Sequence, residues 1–304
     1  MKLHNAALAT GREKLLGHLA MLLFAALIAG SFSLGHKAAP HIGAAALNAI
    51  RFVLATGLMA GLLLLLRPRD MRLPGSLWRF ALLGGLMAIY FVLMFVALKI
   101  TDPVSTGAVF TLIPLMSAGF GWLFLRQRTR ASVLAALVVG AAGAVWVIFR
   151  GDLAAILSFD VGKGEMIFFF GCMAHAAYAP LVRRLNRGEP VLQFTVFTLA
   201  SSMIWIVLAG SGELAATSFS DLPAIVWLAI GYLAIFTTAG TFFLLQFASL
   251  RLPASKVLAY GYLTPAFIIV LEGLSGHGWV TWNVAIGALV TAAALVAMAI
   301  APDK

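Results

Sequence analysis

The chain has 304 residues, of which 62% are hydrophobic and only 11% charged, and its mean hydropathy is +1.02. Soluble domains use about 45–50% apolar and about 25% charged residues, so this chain cannot clothe a water-facing globule, and its solvent is a lipid bilayer. The net charge of +10 is spread as short Lys/Arg clusters between apolar runs, which argues against a nucleic-acid partner, and Cys172, the single cysteine, excludes an intramolecular disulfide and a clustered-thiolate metal site.

About 20 mostly apolar residues cross the hydrocarbon core, and ten such segments are predicted, covering residues 15–34, 43–66, 77–98, 104–125 and 133–149, then 166–181, 191–208, 222–247, 257–274 and 280–300. They are apolar almost throughout, where the strands of a membrane barrel would alternate, so the expected fold is an all-α membrane protein with ten transmembrane helices. Span one follows Lys2, Arg12 and Lys14 as a signal peptide would, but its apolar run is too long and no small-residue cleavage pattern follows. A retained helix is expected, carrying Ser31 and Ser33. Span two holds Arg51 some two turns from one end, shallow enough to snorkel; snorkelling or a structural pair is expected over binding of a substrate carboxylate, and a Gly57-x-x-x-Gly61 pattern is expected to pack against a neighbouring helix. Span three offers Tyr90 between Met87 and Met94.

Span four reads PVSTGAVFTLIP from Pro103 to Pro114. In span six His175 lies near the middle with Tyr178 on the same face, and an ionisable group at that depth is expected to face the bundle interior. Its alternative roles are a cavity ligand or proton acceptor, and a neutral imidazole bonded to a backbone carbonyl. Thr237 and Thr241 share a face of span eight. Span nine reads PASKVLAYGYLTP from Pro253 to Pro265, and Lys256, Tyr260 and Thr264 recur on it every four residues.

With the N-terminus in the cytoplasm, sixteen of the 21 Lys and Arg residues lie inside and only Lys37, Lys99, Arg150 and Lys163 outside, Arg51 falling within a span. The positive-inside rule then places both termini in the cytoplasm. The two halves of the chain also match. Phe52-Val53-Leu54-Ala55-Thr56 of span two parallels Phe197-Thr198-Leu199-Ala200-Ser201 of span seven. Spans four and nine share an entrance proline and a mid-span proline, and spans five and ten are both rich in Gly and Ala. A five-helix unit duplicated across residues 1–150 and 151–304 must enter the membrane upside-down the second time, giving two inverted five-helix repeats.

The duplicated unit, the paired prolines and the Gly/Ala-rich fifth and tenth spans resemble the drug/metabolite transporter (DMT) superfamily and its EamA-type branch of ten-helix carriers, and within it the YddG-like aromatic amino-acid exporter group. The resemblance covers nearly the whole chain and implies amino-acid export. It departs at the ends of spans four and nine, where family members often carry an acid after the mid-span proline. Here the fourth ends in Arg126, and Glu272 follows Pro265 by seven residues, so no role is carried over to those acids.

Prolines that break helices at corresponding depth free backbone carbonyls where substrates bind, which singles out Pro114 and Pro265, the alternative being a packing kink. The expected substrate cavity is lined by these with Ser33, Tyr90, His175, Tyr178, Thr237, Thr241, Tyr260 and Thr264. For the Ser and Thr residues the alternative is a bond to their own helix. No Asp or Glu occupies the centre of a span, so uniport or weak proton coupling through His175 is expected over cation coupling. The expected function is secondary transport in a bacterial inner membrane: export of small neutral metabolites, amino acids above all, by alternating access. The rivals are a sugar-phosphate or nucleotide-sugar carrier, whose bulky anions call for several cavity Lys or Arg, and a drug or metabolite exporter. An enzyme is not expected, for there is no HExxH helix or acid cluster; a channel would need a filter loop. The partners are a small-molecule substrate and membrane lipid, and no cofactor or metal is expected.

Overall fold

A computed structural model of the protein describes residues 11–126, 129–158, 161–249, 251–252 and 254–300, and within them every regular element is helical. The first half comprises α1 (Gly11–Ala38), α2 (Ala44–Leu66), α3 (Trp78–Leu98), α4 (Pro103–Phe110), α5 (Ile113–Leu125) and α6 (Ala131–Ile148). After the short α7 (Leu153–Ser158) come α8 (Lys163–Leu185), α9 (Val191–Ala209), the short α10 (Ser211–Ala216), α11 (Ala224–Ala234), α12 (Thr241–Ser249), α13 (Ala254–Ala259), α14 (Thr264–Leu274) and α15 (Trp282–Ile300). In lipid a chain must satisfy its own backbone polar groups, which helices do within one segment. Among the described residues nine stretches are long and apolar enough to cross a membrane, with α4–α5, α11–α12 and α13–α14 each acting as one; α15 adds a shorter apolar stretch, Trp282–Met298.

The apolar surface lies on both sides of these helices. Leu54, Leu58, Leu62 and Leu65 run down one flank of α2 and are exposed, a stripe that would be a liability in water and is at home against acyl chains. The opposite flank packs on α9 and on the α11–α12 stretch, while α3 packs on α8 and α9, α1 on α11, α12 and α14, α4 on α14, and α6 on α15. Phe32, Phe110 and Phe168 meet edge to face in the core, at 5.8 and 5.9 Å between centroids.

Close helix approach occurs elsewhere than at the GxxxG pattern of span two. A side chain added at Gly57 or Gly61 would meet nothing within 4 Å, because both lie toward the exposed flank of α2. That expectation is corrected: the close pair is Gly143 of α6 and Gly287 of α15. A Cβ at either would stand 2.9 Å from the other's carbonyl oxygen. The starts of α4 and α2 are closed by acids. Asp102 accepts from the backbone N–H of Ser105 at 2.8 Å and from its hydroxyl at 2.9 Å, ahead of Pro103 in the first turn of α4. Glu213, on α10, accepts from the free N–H groups of Ala45 and Ala46 at 2.9 and 3.2 Å, placing a negative charge at the start of α2. At the start of α3 the buried Arg79 donates to Glu189 at 2.6 Å and to the carbonyls of Gly75 and Leu185.

Candidate functional site

Three of the long stretches lose their regular α geometry near mid-length. Between α4 and α5 the helix breaks at Thr111 and Leu112, and Pro114 sits in the first turn of α5. Between α13 and α14 a 3₁₀ turn covers Tyr260–Leu263, and Pro265 sits in the first turn of α14. Proline lacks the N–H of an ordinary helical residue but is tolerated in a first turn, so each ends one half-helix and starts another. The third irregularity is a π turn, Ile235–Gly240, between α11 and α12. Its extra residue per turn brings Thr238 as well as Thr237 toward α2, and such turns recur at functional sites.

The breaks adjoin two cavities. The larger, with a free interior of about 40 Å³, is walled by Phe24, Ile28 and Ser31 of α1, by Arg51 of α2, and by Met87, Tyr90, Phe91 and Met94 of α3. His175 and Tyr178 of α8 close it from one side and Thr237, Thr241, Phe242 and Leu245 from the other. The second, with a free interior of about 20 Å³, shares Phe24, His175 and Leu245 with the first and reaches Met21, Pro114 and Gly261. Both thus draw walls from each half of the chain.

The polar groups of the larger cavity are few and strongly held. Arg51 is fully buried; its Nε donates to Thr238 Oγ1 at 2.6 Å, and its Nη2 to the carbonyl and hydroxyl oxygens of Thr237, both at 3.2 Å. The guanidinium lies 4.4 Å from the centre of the Phe91 ring, a cation–π contact. Asn48, one turn earlier, donates to the Ala44 and Phe91 carbonyls at 2.8 and 3.2 Å and ties α2 to α3. Each threonine hydroxyl gives its proton to its own helix, Thr237 and Thr238 to the Leu233 carbonyl and Thr241 to that of Thr237. Their lone pairs remain to accept. Arg51 Nη1 and His175 Nδ1 are buried with no hydrogen-bond partner. His175 stands against Tyr90, 4.7 Å between ring centroids, and is flanked by Phe110 and Tyr178.

Six of the ten residues singled out in the sequence line these cavities: Tyr90, His175, Tyr178, Thr237 and Thr241 the larger, His175 and Pro114 the smaller. Ser33, Tyr260, Thr264 and Pro265 line neither. Ser31 takes the place of Ser33, since two residues on a helix differ by about 200° in direction. Tyr260 turns to His18, its hydroxyl 2.7 Å from Nδ1. Thr264 is fully buried between helices with its hydroxyl unpaired, and Pro265 acts through the break it sets. The side chain of Lys256 lies outside the described residues. Of the two roles expected for Arg51, snorkelling is not seen: the side chain turns inward and pairs with Thr237 and Thr238. Thr238 and Phe91 were missed. The adjacent Thr237-Thr238 pair facing Arg51 one span away could have drawn notice, but a regular helix would have aimed only one of the two at α2.

A model of the EamA-like transporter family matches residues 15–149 and again 162–300. The uncharacterized transporter YyaM of Bacillus subtilis (strain 168) is 23% identical over 257 residues, covering 84% of each chain. A protein of known crystal structure, 20% identical, aligns over 95% of this chain and 97% of its own with a TM-score of 0.70, a likeness that shows the fold.

Proposed function

The chain is a membrane transporter that belongs to the EamA-like family of the drug/metabolite transporter superfamily, and from that premise we propose that it exports amino acids, apolar and aromatic ones first, by alternating access through the cavity between its halves. The observation that carries this reading is the wall of the larger cavity, which combines aromatic rings and methionines with hydroxyls and one guanidinium. Such a lining accepts a varied apolar side chain while a few fixed polar groups orient the common end. It fits the YddG-like group. A sugar phosphate or nucleotide sugar would need more than one cavity cation.

Alternating access here means that ten spans form two inverted five-helix repeats, residues 1–150 and 151–304, with both termini in the cytoplasm. Support comes from the two family matches and from the packing. If span one corresponds to span six and so on, then α3 on α8 corresponds to α11–α12 on α1, and α2 on α9, α4 on α14 and α6 on α15 each map onto themselves. Two like halves can exchange conformations about a site between them. The test is counterflow in proteoliposomes over amino acids, sugars, sugar phosphates and nucleotide sugars. Exchange of leucine or phenylalanine is expected; exchange of sugar phosphates with no amino-acid movement would refute the reading.

A further inference from the structure

We propose that the chemical group recognised in the larger cavity is a carboxylate, received by the Arg51 guanidinium, and that small monocarboxylic acids with an apolar or aromatic body are carried whether or not they bear an amino group. The inference rests on the reading of this cavity as the substrate site and narrows it.

Arginine is always charged and presents its donors in a rigid planar fork. At Arg51 the threonines of the π turn hold Nε and Nη2, the Phe91 ring backs the guanidinium, and Nη1 has no partner. A cation deep in a membrane protein is costly without a counter-ion. Arg79, the other fully buried arginine, has one in Glu189 at 2.6 Å. Among the described residues no Asp or Glu lines either cavity. The counter-ion that Arg51 lacks among the described residues is what the substrate brings. One guanidinium matches a monoanion; a phosphate dianion would need a second cation.

The amino group fares differently. An ammonium in this cavity would find only neutral partners, such as Ser31 and Thr241, beside a fixed positive charge. Removing it from the ligand therefore costs no ion pair and relieves repulsion. Thr237 and Thr238 are positioning residues, holding Nε and Nη2 of the fork and leaving Nη1 unpaired.

The test compares one carbon skeleton with its charges removed in turn, on the purified full-length carrier in nanodiscs and in counterflow: L-phenylalanine, 3-phenylpropanoate and 2-phenylethylamine. Phenylpropanoate is expected to bind at least as tightly as phenylalanine, and phenylethylamine at least about ten-fold more weakly, the scale of a charge-assisted hydrogen bond. Arg51→Gln should abolish that ratio and Arg51→Lys retain part of it. Thr238→Val, which leaves the charge in place, should reduce the acid-over-amine ratio while apolar bulk still matters, a pattern that a merely structural role would not give. If phenylethylamine binds the unaltered protein as well as phenylpropanoate does, the carboxylate assignment fails while the cavity reading stands. If sugar phosphates bind and none of the three does, the cavity reading fails with it.

Discussion

Two side chains with unmet hydrogen-bonding atoms, Arg51 and His175, face the larger cavity, and at this scale their roles separate. Arg51 carries a permanent charge, whereas His175 stands in an aromatic cage of Tyr90, Phe110 and Tyr178. His175→Ala is expected to lower transport of several amino acids together at unchanged membrane abundance, as quantified by counterflow against immunoblot. If His175 also carries a proton, His175→Gln abolishes the pH dependence of transport and leaves downhill flux. Far from the cavity, the Arg79–Glu189 pair allows a pH prediction. Burial works against the Glu189 carboxylate, but hydrogen bonds from the Arg79 side chain and the Arg187 N–H outweigh it and hold its pKa below the usual 4.5. A depressed folded-state value means that the pair stabilises fully above the ordinary carboxylate pKa and that the contribution fades as pH falls through the lowered value. Glu189→Gln should therefore lower the melting temperature at neutral pH, and the gap to the parent should close on strong acidification. His175, Tyr90 and the threonines were legible because a polar residue inside an apolar run has few reasons to be there. The inward turn of Arg51 was not, because a long side chain two turns from a helix end can reach either way, and only the acceptors supplied from α11–α12 decide.

Breaks in the long stretches were legible where proline marks them. Pro114 and Pro265 predicted irregular fourth and ninth spans, and a broken helix and a 3₁₀ turn stand there. The π turn carries no such mark, since Ile235-Phe236-Thr237-Thr238-Ala239-Gly240 reads as ordinary helix, and its extra residue is set by tertiary packing. Because each proline lies in a first turn, its loss adds an N–H able to extend the preceding half-helix without removing a bond already made. Pro114→Ala and Pro265→Ala should thus impair transport about ten-fold or more while shifting the melting temperature by only a few degrees. Full transport by both variants would leave the prolines a packing role alone. The opposite balance is expected at Gly143, where α6 meets Gly287 of α15 backbone to backbone. Gly143→Leu has no flexible neighbour to displace and should destabilise by about 1–3 kcal/mol or more, seen as loss of the monodisperse peak after mild heating. Small residues were legible as close contacts in kind but not in place: GxxxG fits many partners, and Gly57 and Gly61 lie toward the exposed flank.

For the molecule as a whole, the duplicated plan predicts that loops of opposite parity lie on opposite sides. In a Cys172→Ala background, a cysteine introduced at Lys37 should react with an impermeant thiol reagent applied from outside, and one at Arg187 only after the membrane is opened. Reaction of the position-187 thiol from outside would overturn the arrangement. The family model matches residues 15–149 and 162–300, the same two stretches that the order and spacing of prolines and glycines pair in the sequence. The identity of the cargo was not legible there, since it depends on which atoms end up unpaired around one hollow. Among the described residues that hollow has a single fixed positive charge and no acid in its walls. A cargo that answers it with a carboxylate and nothing else crosses as an anion, and in a cell whose interior is electrically negative the membrane potential itself drives anions outward, by about 2.3 kcal/mol per 100 mV. Such a carrier runs as an exporter with no companion ion, and in liposomes its direction should reverse when a potassium diffusion potential of the opposite sign is imposed.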